Sequence, residues 1–184
     1  MNTGCGPRWI GRAVEGAVVR VVPEITGVLI QFSPMEGQLL GTLLAQYDEL
    51  LDGQLDGSEL NADPALARLF PDAYPQDAEA AAEFHRYTHE GLVEHKSANS
   101  GLISAALMAT DDDGRLTVER DDAERWLPAL TDLRLVLAER LGIRADDDPM
   151  PENELSDVYF WLGELQWNLI AALDPESAVG PEGL

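Results

Sequence analysis

Cysteine is almost absent from this 184-residue chain, where Cys5 stands alone. A single thiol excludes an intramolecular disulfide and any zinc cage built on cysteines. Lysine is as scarce: Lys96 is the only one beside eleven arginines, and no run of basic residues occurs. The 12 basic residues face 34 acidic ones, a formal charge of −22. Such a surface repels phosphates and anionic headgroups, so neither direct nucleic-acid binding nor membrane binding is expected. Long hydrophobic runs are missing too. None approaches the roughly 20 apolar residues that span a bilayer, and Arg8, Arg12 and Arg20 break up the start of the chain, so the expected address is the cytoplasm. There is no Gly-Lys-Ser/Thr phosphate loop, no dinucleotide fingerprint and no Gly-x-Ser-x-Gly elbow. No catalytic residue and no cofactor is expected.

What is present fits one domain. The apolar content of 45% in a chain of this length suffices for a core. Residues 1–8 and 174–184 read as disordered ends around a globular domain over 9–173. Trp9–Val14 and Ala17–Val22 flank Glu15-Gly16, and Gly27–Phe32 is a further apolar run, so 9–32 reads as a small antiparallel sheet of two or three strands. Ser33, Pro34 and Glu36 spell a helix start with a capping box. Leu39, Leu40, Leu43, Leu44, Tyr47 and Leu51 then give that helix one apolar face, and Asp52–Asn61 reads as a loop. A short helix opens at Asp63-Pro64 and stops at Pro71. A longer one starts near Asp77, runs to Val93 with a bend near Gly91, and continues towards Met108. Arg115–Val118 reads as a short extended piece. Two further helices span about 120–141, ending at Gly142, and about 154–173, ending at Asp174-Pro175. The expected class is α+β, mainly α: a bundle of about five helices (33–173) with a small N-terminal hairpin or three-stranded sheet (9–32).

Few constellations suggest chemistry. His85 and His89 are four apart on a helix, a spacing that lets two imidazoles share a divalent metal. The missing third ligand favours a solvated helix face instead. Asp111, Asp113 and Gly114 resemble part of an EF-hand loop, but Arg120 sits where the bidentate glutamate belongs. Asp132 and Arg134 are the polar pair that draws notice, inside an apolar helix lined by Leu130, Leu133, Leu137 and Leu141. Two residues apart on a helix means about 200° of rotation, so the pair cannot join and at least one side chain reaches a neighbouring element. Arg68, Asp72 and Arg86 are the expected partners. The set forms either interhelical ion pairs that fix helix register or a charged groove, and the former is preferred.

Asp63, Pro64, Arg68, Leu69, Pro71, Asp72, Tyr74, Phe84, Arg86, Thr88, Lys96 and Asn99, followed by Trp126-Leu127, Leu130, Asp132-Leu133-Arg134-Leu135, Leu137, Arg140-Leu141, Trp161-Leu162 and Gln166, carry a resemblance. The chain resembles an actinobacterial domain-of-unknown-function family that includes the oxidative-stress regulator AosR. The resemblance implies a redox-responsive regulator that acts with a sigma factor through an N-terminal cysteine pair. It also implies a link to the Clp proteolysis system, whose adaptor gene often lies nearby. Here only Cys5 could take part, so the expected redox chemistry is intermolecular. The family transfers no catalytic residue. The candidate polar network is therefore Arg68, Asp72, Tyr74, Arg86, Asp132 and Arg134.

The function read from all this is stress-linked regulation through protein–protein contact. The expected partner is a sigma factor or a Clp-system component, with a homodimer left open. A small-molecule enzyme or binder using Arg68, Arg86 and Arg134 is the rival from another class. A deep pocket on which these arginines converge would favour the rival, and an exposed apolar patch would favour interaction.

Overall fold

The computed structural model describes residues 19–55, 63–71, 73, 76–145 and 147–174, apart from the side chains at 54, 55, 78, 80–82 and 85. The elements are β1 (Arg20–Pro23), β2 (Gly27–Gln31), α1 (Pro34–Leu55), α2 (Pro64–Leu69), α3 (Ala78–Met108), β3 (Arg115–Glu119), α4 (Arg120–Leu141) and α5 (Glu154–Leu173). The fold is α+β and mainly α, as the patterning implied. The strand expected over 9–14 and the Glu15-Gly16 turn lie outside the described residues, as do the ends 1–8 and 175–184.

The sheet is antiparallel in the order β1-β2-β3. β1 and β2 form a hairpin with Arg20 opposite Gln31 and Pro23 opposite Val28. The third strand comes from the short extended piece far along the chain: Leu116 pairs with Ile30 and Val118 with Val28. β3 alternates strictly, Leu116 and Val118 inward and Arg115, Thr117 and Glu119 outward, the two-residue period of a strand with one face on the core. A tight turn delivers it. Asp111 Oδ1 accepts from the Asp113 and Arg115 backbone N–H groups at 2.9 and 2.8 Å, and Gly114 takes φ +75°. A Cβ there would sit 2.0 Å from the Phe32 carbonyl oxygen, so only glycine closes this turn. Asp111 thus serves the geometry of the turn, and Asp113 pairs with Arg115 beside it at 3.2 Å.

The capping box forms as the sequence spelled it. The Ser33 N–H donates to Glu36 Oε2 at 2.8 Å, and the Glu36 N–H to Ser33 Oγ at 3.3 Å. Glu36 is buried, and its other oxygen accepts the Trp161 indole N–H at 2.9 Å, which ties the start of α1 to α5. α1 runs to Leu55, four residues beyond the expected loop start, because extending a nucleated helix costs little. α3 is one continuous helix through Gly91 to Met108. α4 ends where expected, with Gly142 in the left-handed conformation. α5 starts at an Asn153 cap and ends at Asp174.

The core lies where the sheet meets α1, α3, α4 and α5. Val28, Ile30, Leu40, Leu44, Leu51, Ile103, Trp126, Leu130, Leu162, Leu165 and Leu169 are fully buried there. α4 and α5 pack side by side, and both touch the sheet, while α2 lies across α4. No helix among the described residues is long and apolar enough to cross a membrane.

Candidate functional site

Asp132 and Arg134 leave α4 in different directions, as two residues of helical rotation require, and each enters a different interface. Asp132 is buried and faces the seam between α1 and α3. Lys96 Nζ of α3 donates to its Oδ1 at 2.8 Å and Oδ2 at 2.9 Å. The Tyr47 hydroxyl of α1 donates to Oδ2 at 2.8 Å. One carboxylate thus joins three helices. Burial first, then the charge and hydrogen bond of Asp132, push the Tyr47 phenol far above its ordinary range, so it stays a donor. Lys96 also lies over the Phe70 ring, 5.6 Å from its centroid. Phe70 stacks on His89 at 4.8 Å, which closes the seam on the α2 side.

Arg134 turns to α5. Its Nη1 donates to Gln166 Oε1 at 2.9 Å and Nη2 to the Tyr159 hydroxyl at 3.2 Å, and the guanidinium lies 4.8 Å from the Tyr159 ring centroid. Gln166 is itself held by Thr131, to which its Nε2 donates at 2.6 Å. The backbone at Gly163 faces the guanidinium, where a Cβ would stand 3.7 Å from its central carbon. Among the described residues, every partner of Arg134 is neutral.

Of the partners expected for this pair, Arg68 and Arg86 are therefore corrected. Arg68 instead pairs with Glu139 at 2.7 Å, and its Nη2 donates to the Ile143 carbonyl at 2.5 Å. Arg140 grips Asp63 through both carboxylate oxygens, Nη1 to Oδ1 at 2.7 Å. These two pairs cross-link α2 to the end of α4 with reciprocal charges. Asp63 also caps α2 by accepting from the Ala65 N–H at 2.9 Å. The Arg140 bond holds the Asp63 carboxyl below its ordinary range, with help from Ala65 and against a smaller effect of burial. Arg86 is exposed on α3, donating to the Tyr87 hydroxyl at 3.1 Å. Arg68, Arg86 and Arg134 do not converge. Two surface depressions, one beside Phe32, Pro34 and Asp111 and one over Arg20, Leu29 and Arg115, include none of them.

Asp72, Tyr74 and Cys5 lie outside the described residues, as does the side chain of His85. His89 is half-buried against Phe70. Among the described residues no group of three His, Cys, Asp or Glu side chains could hold a metal.

Reasoning from the sequence missed Tyr47 and Lys96 as partners of Asp132, and Asn99 as the acceptor of Arg125 Nε at 3.0 Å. A signal existed for one of them: a lone lysine in an arginine-rich chain. It missed a second buried spot in the same seam as well. Asp48 of α1 faces Ser100 of α3, and neither Asp48 Oδ1 nor Ser100 Oγ completes a hydrogen bond of normal geometry. Burial raises the Asp48 carboxyl, the nearby Ser100 hydroxyl lowers it in part, and Asp52 raises it further. The buried Trp126 indole nitrogen is likewise without a hydrogen-bond partner among the described residues.

Comparison with known proteins follows the same span of chain. The family model "Domain of unknown function (DUF2017)" matches residues 19–173. A Mycobacterium leprae protein named "Putative oxidative stress regulator AosR" is 34% identical over 94% of this chain and 86% of its own length. The "Oxidative stress regulator AosR" of Mycobacterium tuberculosis is 31% identical over 70% of this chain and 66% of its own. No solved structure matches. The matched span runs from the residue before β1 to the last residue of α5, so every element described above falls within it, and the chain belongs to the DUF2017 family.

Proposed function

We propose that this protein is a stress-linked regulator that works by binding another protein, with a sigma factor as the partner. One observation carries the reading. Of the four described charged residues that could have formed a reactive or ligand-binding groove, three are spent on contacts inside the fold, Asp132 on Lys96 and Tyr47, Arg68 on Glu139, and Arg134 on Gln166 and Tyr159, while Arg86 stands apart from them at the surface. That is a set of register-fixing contacts between helices. It supports a binding module over an enzyme, and the names of the mycobacterial relatives support the link to oxidative stress. The charge of −22 argues that control is exerted on a protein and not on DNA directly.

The test is reconstitution. The full chain is mixed with each purified sigma factor of its host, reduced and after peroxide, and binding is measured by calorimetry. One sigma factor should bind, with an affinity that changes with redox state. If none binds in either state, while a Clp adaptor does, the proteolysis reading replaces this one. Oxidation should yield only a Cys5-linked dimer or mixed disulfide, absent from Cys5→Ser on a non-reducing gel.

A further inference from the structure

α5 is apolar on two sides. Trp161, Leu162, Leu165, Leu169, Ala172 and Leu173 face the core. Trp167 and Ile170 do not: Trp167 is 67% exposed and Ile170 42%. At 3.6 residues per turn, Trp167 lies about 160° from both Leu165 and Leu169, and Ile170 about 60° to one side of it. Glu164 lies about 60° to the other side, with Asp157 beyond it. α5 carries Glu154, Asp157 and Glu164 but no lysine or arginine. Arg134, on the Ile170 side, is held on Tyr159 and Gln166, and Arg120, towards the end of the helix, is held on the Leu173 carbonyl and Glu124. The result is an exposed indole and an aliphatic neighbour with a carboxylate flank.

Resting on the reading of the protein as a protein-binding regulator, we propose that this outward face of α5 is the docking surface for a basic segment of another protein. An apolar side chain of that segment packs on Trp167 and Ile170, and its cations meet Glu164 and Asp157. The argument is charge complementarity. A second copy of this chain, itself of net charge −22, would set its own Glu164 and Asp157 against the same face, and like charges across an interface oppose association. A basic partner is attracted by the same field, from a distance as well as on contact. Exposed tryptophan supplies a large rigid apolar area with a polar edge, the kind of side chain that dominates binding energy when a partner covers it.

The test uses the full chain and two synthetic amphipathic helices, one of Leu and Lys and one of Leu and Glu, at near-physiological salt. The Leu/Lys peptide should bind and the Leu/Glu peptide should not. Trp167→Ala should weaken the Leu/Lys complex at least about tenfold with an unchanged melting temperature, while Tyr87→Ala, another exposed aromatic, should bind like the wild type. Equal binding by Trp167→Ala, equal loss in Tyr87→Ala, or equal binding of the Leu/Glu peptide would overturn the proposal. So would a Trp167-dependent dimer in sedimentation velocity. A sigma factor bound equally by wild type and Trp167→Ala would refute this surface and leave the first reading intact. Peptide binding through Trp167 with no sigma factor bound would do the reverse.

Discussion

Two sets of ion pairs hold α4 in place, and their surroundings differ. In the seam of α1, α3 and α4, Asp132 is buried against Lys96 and Tyr47, with the Lys96 and Asp132 side chains only 18% and 9% exposed. At the far end of the same helix, Arg140 and Asp63 are 42% and 25% exposed, and Arg68 and Glu139 about a fifth. Both sets join opposite charges. What differs is the solvent that replaces a lost partner. Water heals a broken surface pair, so such pairs contribute little. A charge orphaned in the interior has nothing to turn to. Position thus sets the worth of each contact more than its length does.

Asp132→Ala should draw that contrast most sharply. It leaves the half-buried Lys96 and the buried Tyr47 hydroxyl without their acceptor, a loss of about 3–5 kcal/mol. For a domain of this size that lowers the melting temperature by roughly 6–20 °C, measured by calorimetry. Replacing the whole set by apolar groups, Asp132→Leu with Lys96→Met and Tyr47→Phe, should recover most of the loss, because no orphan remains. If the triple variant melts as low as Asp132→Ala, burial of an unpaired charge is not the cause.

Arg134→Ala should fall between the two sets. It removes two hydrogen bonds from a charged donor and a contact with the Tyr159 ring, yet its partners are neutral and no charge is orphaned. The expected loss is about 1–3 kcal/mol. Thermal unfolding measures it, and a loss equal to that of Asp132→Ala would show that the neutral partners of Arg134 do not soften its removal.

Arg140→Ala should cost only about 0.2–1 kcal/mol, and less in high salt. The pH dependence follows from Asp63. Its folded pKa lies below its unfolded one, so its contribution is full above the unfolded value near 3.9 and is lost as pH falls through the folded value. Wild type and Arg140→Ala should therefore differ in melting temperature at neutral pH and converge in strong acid. A constant difference down to pH 2 would break this account.

The smallest effect has the opposite sign. Burial raises the Asp48 carboxyl, so its contribution is present below the unfolded pKa and lost as pH rises through the folded one. At neutral pH the ionised group opposes folding. Asp48→Asn should raise stability slightly there, within about 0.5 kcal/mol, as for most partly exposed positions, and the gain should vanish in acid. A destabilised Asn variant at neutral pH would mean that the Asp48 charge has a partner worth keeping.

Much of the fold was legible because its signals are local. The Ser33–Glu36 box, the left-handed Gly142 and the Asp174 stop satisfy backbone groups within a few residues of themselves, so the sequence carries them openly. The apolar stripes of α1, α4 and α5 follow the helical period. So does the divergence of Asp132 and Arg134, which needs nothing beyond the rotation per residue. By itself, then, the sequence determined which segments are helical, where most of those helices begin and end, though not the end of α1, and that the polar pair must serve two different neighbours.

The choice of neighbours belonged to the tertiary structure. Lys96 is 36 residues from Asp132 and Tyr47 is 85 away, and Leu116 reaches Ile30 only after three helices have folded back. A helix face shows which residues turn inward but not which of several carboxylates a given cation will meet. The sequence reading set Arg68 against Asp132, and the packing of α2 on the end of α4 gave it Glu139 instead. The exposure of Trp167 was decided in the same way. Trp167 is as apolar as the buried residues of α5, and it remains at the surface because the sheet and α4 cover the opposite side of the helix.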